Sequence, residues 1–176
     1  TLHGKRIWQI GIADRSTGEF ANGDDFHHWG LWRRYPTDFP EDVDFEIGKS
    51  RENQDWNFAH WNWFSKTNSW NIRFKMDEER KGTVVLTFGI AAARAPRLSD
   101  QGNGDRSQKP NSPDKVDIQI CLNNKELGSF GAETTGSVSY RSARQSTRYS
   151  VKEIRFDADL LHQGENLISL RHKVSE

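Results

Sequence analysis

The chain has 176 residues, enough for one domain with a sizeable buried core. Its 25 basic and 25 acidic residues balance, so no net field favours nucleic acid or an anionic membrane as a partner. No apolar run approaches the roughly 18 residues of a membrane helix. The single cysteine, Cys121, excludes an internal disulfide and a Cys-based zinc site. Residues Thr1–Gly4 do not begin a signal peptide, which is either absent or already removed.

Apolar and polar residues alternate along much of the chain, a spacing typical of half-buried β-strands. In chain order, the segments with this pattern are Ile7–Ile12, Val43–Ile47, Trp56–Trp63, Trp70–Met76, Val84–Ile90, Val116–Leu122, Ile154–Phe156 and Leu167–Arg171. The pattern is clearest in Trp70–Met76. Trp56 and Trp70 are expected in the core, whereas Trp61 and Trp63 are out of phase with Trp56.

The segments between these strands are polar or interrupted. Pro36 allows at most a short helix over His27–Tyr35, and residues 97–114 are expected to form a long solvated loop. Asn123-Asn124 predicts a tight turn, while Gly128–Tyr149 is a polar stretch in which Arg141, Arg144 and Arg148 are widely spaced. About eight strands without alternating helices predict an all-β fold, an antiparallel β-sandwich.

Catalytic and metal-binding motifs are weak. His27, His28 and His60 match no catalytic or zinc spacing, so no catalytic residue and no metal ligand is predicted. Two loops hold oxygen donors that could bind calcium, although neither has EF-hand spacing: Asn22, Asp24 and Asp25, and Asp100, Asn103 and Asp105. We expect solvated loops and no cofactor, and keep calcium as the alternative.

A binding surface requires less chemistry than an active site. Sugar rings present apolar faces and directional hydroxyl groups, so exposed aromatic side chains beside cationic and amide groups suit them. The candidate ligand-binding residues are His60, Trp61, Trp63, Arg73, Lys75 and Arg141. Core packing for the tryptophans and simple solvation for the arginines are the alternatives.

Several blocks of the sequence resemble the C-terminal domain of rhamnogalacturonan lyases, polysaccharide lyase family 4. The matching blocks, in the family's order, are Ile7–Phe20, Gly30–Ser50, Asp55–Asn62, Trp70–Asp77, Val84–Ala93, Val116–Asn124 and Leu160–Leu170. The resemblance implies a jelly-roll fold like that of carbohydrate-binding and galactose-binding modules. It also implies a pectic or other acidic polysaccharide as ligand, other lyase domains as partners and an extracellular location.

The family's catalytic Lys and His belong to a preceding domain and have no counterpart here. The family also has one more strand after the position of Leu170. We therefore expect residues 1–176 to be a single non-catalytic module, a fragment of a longer lyase with its last strand missing or replaced. One alternative is a structural docking domain that binds no sugar. The least favoured is an independent enzyme on the same scaffold.

Overall fold

A computed structural model describes residues 4–14, 16–21, 23, 37, 42–56, 69–90, 115–133 and 149–172. The strands in these ranges are β1 (Val43–Glu46), β2 (Trp70–Met76), β3 (Thr83–Ile90), β4 (Lys115–Leu122), β5 (Lys125–Glu133), β6 (Ser150–Asp157) and β7 (Gly164–His172). A four-residue helix, α1 (Glu52–Asp55), follows β1, and a 3-10 helix (Ala158–Leu160) follows β6. The predicted helix at 27–35, the predicted strand Trp56–Trp63 beyond Trp56 and the predicted loop at 97–114 lie outside the described residues.

Five strands form the larger sheet in the order β1-β2-β7-β4-β5. Every pair in it is antiparallel except β1 and β2, which run parallel. The predicted antiparallel arrangement holds for the other described strand pairs, and this edge is the exception. The chain leaves β1 through Gly48, in a left-handed conformation with φ of +85°, and returns to β2 through α1 and a long connection. Such a connection can join parallel neighbours, which a tight hairpin cannot.

Strands β3 and β6 pair antiparallel as a second sheet. Along both strands every second residue turns inward, so Leu86 is buried and Ile154 and Phe156 are half-buried. These residues pack on one cluster contributed mainly by the larger sheet: Val43, Phe45, Trp56, Ile72, Phe74, Met76, Leu86, Ile120, Leu122, Leu161, Ile168 and Leu170. Two sheets around a shared apolar core confirm the predicted all-β sandwich.

The N-terminal segment contradicts the strand prediction for Ile7–Ile12, since no residue from 4 to 12 belongs to a strand. Trp8 nevertheless packs on the core, with its ring centroid 5.5 Å from that of Phe74. Gly11 then turns the chain with φ of +68°, and a Cβ there would clash with the Phe20 ring. Alternation placed Trp8 correctly, but the turn prevents the segment from continuing as a strand.

The tryptophans expected in the core pack against each other. Trp56 is buried and its ring lies 4.9 Å from that of Trp70. The ring of Phe45 meets Trp56 edge-on at 5.6 Å, an arrangement that aromatic quadrupoles favour. This cluster holds β1, β2 and the end of α1 together.

Asn123 and Asn124 form the predicted tight turn, with φ of 49° and 68°. Positive φ at both central residues is the requirement of a type I′ hairpin. The turn leads into β5, which the sequence pattern did not predict. Gly128 and Gly131 remove two side chains from β5, and its register shifts opposite Ile120 and Cys121, so no regular alternation marks it.

Asn166 fixes the loop before β7 to the β4–β5 turn. Its buried side chain accepts hydrogen bonds from the backbone N–H of His162 (2.8 Å) and from Asn123 Nδ2 (3.0 Å), and it donates to the carbonyl of His162 (2.7 Å). Asn123 Oδ1 in turn accepts from the backbone N–H of Leu167. A buried polar network of this kind fixes the register of the central strand β7 between β2 and β4.

Candidate functional site

The outward side of β1, β2 and β7 forms a surface that is polar except for the half-buried Leu167. In β2 the inward residues Ile72, Phe74 and Met76 are buried, so alternation turns Arg73 and Lys75 to solvent. We call this surface the polar face and define it by the outward residues of the three strands: Asp44, Glu46, Asn71, Arg73, Lys75, Glu165, Leu167, Ser169 and Arg171. Their register brings together side chains that are far apart in the sequence.

Both basic residues of β2 lie beside carboxylates of the neighbouring strands. Arg73 Nη2 lies 3.3 Å from Asp44 Oδ1 on β1, and Lys75 Nζ lies 3.4 Å from Glu165 Oε1 on β7. Lys75 and Glu165 are direct partners in the strand register, whereas Asp44 reaches Arg73 diagonally. All four side chains are exposed, so these ion pairs contribute little to stability. They do hold the charged groups near each other and in fixed places.

A third ion pair extends the polar face at its β1 edge. Lys49 Nζ lies 2.7 Å from Glu46 Oε1. This hydrogen bond lowers the pKa of Glu46, and the charges of Lys49, Lys75 and Arg73 lower it further. The same hydrogen bond raises the pKa of Lys49. Glu46 is therefore ionised at neutral pH within a group of cations.

Neutral hydrogen-bonding groups occupy the middle of the polar face. Ser169 Oγ donates to Asn71 Oδ1 at 2.7 Å, across the β2–β7 pair. Ser169 is buried and Asn71 is half-buried, so this bond forms the floor between the exposed ion pairs. The polar face offers guanidinium, ammonium and amide donors beside carboxylate acceptors. It can therefore bind ligand groups that accept hydrogen bonds and ligand groups that donate them.

The part of the chain that the structure describes contains no cluster of three or more His, Cys, Asp or Glu side chains suited to a metal ion. Cys121 is buried next to Ser169 in the register of the larger sheet. Among the helices of that same part of the chain, none is long and apolar enough to span a membrane.

The structure shows the position of two of the predicted binding residues, and the binding role of both stays a prediction. Arg73 and Lys75 project outward side by side on β2, the orientation predicted from alternation. The other four predicted binding residues lie outside the described residues: His60, Trp61, Trp63 and Arg141. The calcium alternative also stays untested, since Asp24 and Asp100 lie outside the same ranges.

Sequence reasoning missed the carboxylates of the polar face. Asp44 lies in a strand that was predicted, so its outward direction could have been read from the alternation with Val43 and Phe45. Its proximity to Arg73 depends on the parallel pairing of β1 and β2, which alternation does not reveal. Glu165 precedes the predicted strand Leu167–Arg171, although β7 already begins at Gly164.

Comparisons with known proteins give one consistent result. The sequence model for the CBM-like domain of polysaccharide lyase family 4, its domain III, matches residues 6–176. The chain is 35% identical over 163 residues to the rhamnogalacturonate lyase of Dickeya dadantii, covering 93% of this chain and 25% of that protein. It is 33% identical over 191 residues to a probable rhamnogalacturonate lyase C of Aspergillus oryzae, covering 93% and 27%.

A third relative shows the same proportions. The rhamnogalacturonate lyase B of Emericella nidulans is 29% identical over 197 residues, which cover 95% of this chain and 29% of that protein. The chain thus spans between a quarter and three tenths of the length of these three relatives.

Proposed function

Because the chain belongs to polysaccharide lyase family 4, as its CBM-like domain III, we propose that it is a non-catalytic module that binds or positions a pectic polysaccharide. The relatives named above are rhamnogalacturonate lyases, so rhamnogalacturonan is the first ligand to consider. In this proposal residues 1–176 form one module of a longer lyase. It acts outside the cell, because a polymeric polysaccharide does not cross the cell membrane into the cytoplasm.

The polar face is the observation that carries the proposal. Arg73 and Lys75 stand about two residues apart on one strand, roughly 7 Å, which is close to the width of a sugar ring. Their counter-ions Asp44 and Glu165 hold them at neighbouring positions across three strands. Directional donors and acceptors at fixed spacing are what a chain of hydroxylated rings requires.

Calorimetry with rhamnogalacturonan oligosaccharides tests the proposal. We expect the parent protein to bind and the double variant Arg73→Gln/Lys75→Gln to bind about tenfold more weakly, since two charged contacts are lost. Arg155→Gln is the matched control, because Arg155 also pairs with a carboxylate, Glu153, but on the smaller sheet. Equal weakening by the control and the double variant would contradict the assigned surface.

The aromatic part of the proposal rests on Trp61 and Trp63, and His60 and Arg141 are the other predicted binding residues outside the described ranges. We expect Trp61→Ala to weaken oligosaccharide binding by about 1–3 kcal/mol, the usual contribution of one stacked ring. Because the described part of the polar face has no aromatic side chain, a stacking platform has to come from such residues. Unchanged affinity in Trp61→Ala would leave hydrogen bonding as the main source of affinity.

The module is proposed to lack lyase activity of its own. Cleavage by β-elimination needs a base that removes a proton next to the uronate carboxylate. The family resemblance assigns the catalytic Lys and His to a preceding domain, with no counterpart in this sequence. Incubation of pure protein with rhamnogalacturonan should produce no growing ultraviolet absorbance from unsaturated uronate ends. Sustained growth of that absorbance would contradict this part of the proposal.

A docking role is the second candidate, and one observation favours it. Ile7 and Ile12 are 43% and 65% exposed in the N-terminal segment, a high exposure for large apolar side chains. A neighbouring lyase domain could cover them. If the parent protein binds no pectic oligosaccharide in calorimetry but does bind a separately produced catalytic domain, docking is the better description.

A further inference from the structure

The ion pairs of the polar face balance its charge where binding would occur. Lys49, Arg73 and Lys75 lie within 3.4 Å of Glu46, Asp44 and Glu165, respectively. Each of these three cations thus has a carboxylate within direct contact, and Arg171 is the remaining cation among the outward residues that define the polar face. At the three ion pairs the polar face therefore presents no excess positive charge of the kind expected of a surface built to attract an anionic polymer.

The two kinds of group on a pectic chain need different partners. A uronate carboxylate accepts hydrogen bonds only, so it prefers cations without a competing acid. A sugar hydroxyl donates one hydrogen bond and accepts others, so it fits a place where a donor and an acceptor lie side by side. Arg73 with Asp44, and Lys75 with Glu165, are two such places.

We propose that the polar face recognises the hydroxyl groups of the glycan through these paired side chains, and not its carboxylates. The inference rests on the proposed function and specifies the chemistry of the same surface. Asp44 and Glu165 are then ligand-binding residues in their own right, as acceptors for hydroxyl hydrogens. Arg73 and Lys75 donate to the oxygens of the same or the adjacent hydroxyl groups.

Electrostatics at the β1 edge supports this assignment. A uronate that approached Arg73 would also approach Asp44 and Glu46, both of which flank Arg73 in the strand register. Repulsion from these two carboxylates would offset the attraction of Arg73, while the nearby cations Lys49 and Lys75 are themselves paired with carboxylates. A neutral hydroxyl group is not repelled by these carboxylates and can donate a hydrogen bond to one of them.

Chemical reduction of the ligand tests the inference directly. Rhamnogalacturonan oligosaccharides can be prepared in native form and with every uronate carboxyl reduced to a primary alcohol. We expect calorimetry to give affinities within about threefold of each other, with little dependence on salt. A loss of tenfold or more on reduction overturns the inference while leaving pectic binding intact. Absence of binding to either ligand overturns the proposed function and the inference with it.

The variant Asp44→Asn distinguishes the two chemistries by the sign of its effect. If hydroxyl groups bind at the Arg73–Asp44 pair, loss of the acid weakens binding of both ligands by about three- to tenfold. If uronates bind there, removal of a repelling charge strengthens binding of the native ligand. An unchanged or increased affinity overturns the inference.

A matched control guards against general charge effects. Glu153→Gln removes the acid of an exposed pair, 2.8 Å from Arg155 on the smaller sheet, and should leave both affinities unchanged. Asp44 is exposed, so its variant is expected to fold, and equal thermal melting of both variants would establish this. A control that weakens binding as much as Asp44→Asn overturns the assignment to the polar face.

Discussion

The two sides of strand β2 differ in how much they contribute to folding free energy, although their residues alternate in one short segment. On the inner side Ile72 is only 3% exposed, inside the cluster shared by both sheets. On the outer side the side chain of Arg73 is 52% exposed and pairs with a carboxylate. The inner side carries hydrophobic free energy, about 1.5–3 kcal/mol for each large side chain. The outer ion pairs contribute little to folding free energy. The residues of the polar face can therefore serve binding without loss of stability.

The largest effect should come from placing a charge on the inner side. Ile72→Asp would bury an unpaired carboxylate among Phe45, Phe74 and Ile168, at a loss of at least about 3 kcal/mol in unfolding free energy. A marginally stable domain would unfold. The matched variant Arg73→Asp, one residue away, should fold. Thermal melts compare the two, and equal stability would show that the faces are wrongly assigned.

Removal of the Asn166 side chain should have the next largest effect. Asn166→Ala removes a buried side chain and leaves partly buried backbone groups of His162 and Gly164 without their partners. We expect a loss of about 2–3 kcal/mol in chemical unfolding. Gln163→Ala removes only an exposed hydrogen bond to Asp77 and should change stability by less than about 0.5 kcal/mol. If Asn166→Ala left the unfolding free energy unchanged, the hydrogen-bond network would not be what fixes β7.

Acid should lower the stability of the fold through His172, which lies at the end of β7. Burial lowers the pKa of this imidazole below its usual 6.5. The unfolded chain therefore takes up the proton first, so stability is unaffected above about pH 6.5 and falls as the pH drops below it. The slope from this group is at most about 1.4 kcal/mol per pH unit. His172→Gln should flatten the measured slope between about pH 6.5 and 5, and an unchanged slope would contradict this account.

The smallest effect is expected from neutralising the outer cations. Arg73→Gln and Lys75→Gln should each shift unfolding free energy by less than about 0.5 kcal/mol, since both pairs are exposed. Denaturant titration measures this. A loss above about 1.5 kcal/mol in either variant would make the polar face part of the structural framework.

The strands predicted from the sequence are those whose two sides differ strongly. Alternation between Trp70 and Met76 identified β2 and correctly turned Arg73 and Lys75 outward. The same pattern failed at Ile7–Ile12, because Gly11 turns the chain and leaves Ile12 exposed. It also missed β5, where glycines and a register shift remove the alternation.

The composition of the polar face could be predicted only in part, for a physical reason. The local spacing of apolar residues shows which way a side chain points, and this was sufficient to predict the outward orientation of Arg73. The neighbours of that side chain depend on which strands pair and in what register. The pair of Lys75 with Glu165 exists because β2 and β7 are adjacent, which no local pattern in either strand shows.

A nuclear magnetic resonance titration tests the central claim most directly, namely that the glycan binds on the outer side of β1, β2 and β7. Side-chain Nε–H signals of the arginines can be followed in nitrogen-15 correlation spectra as rhamnogalacturonan oligosaccharide is added. We predict that the signals of Arg73 and Arg171 shift and saturate together, while that of Arg155 on the smaller sheet stays in place. Saturable shifts at Arg155, with Arg73 unchanged, would contradict the account.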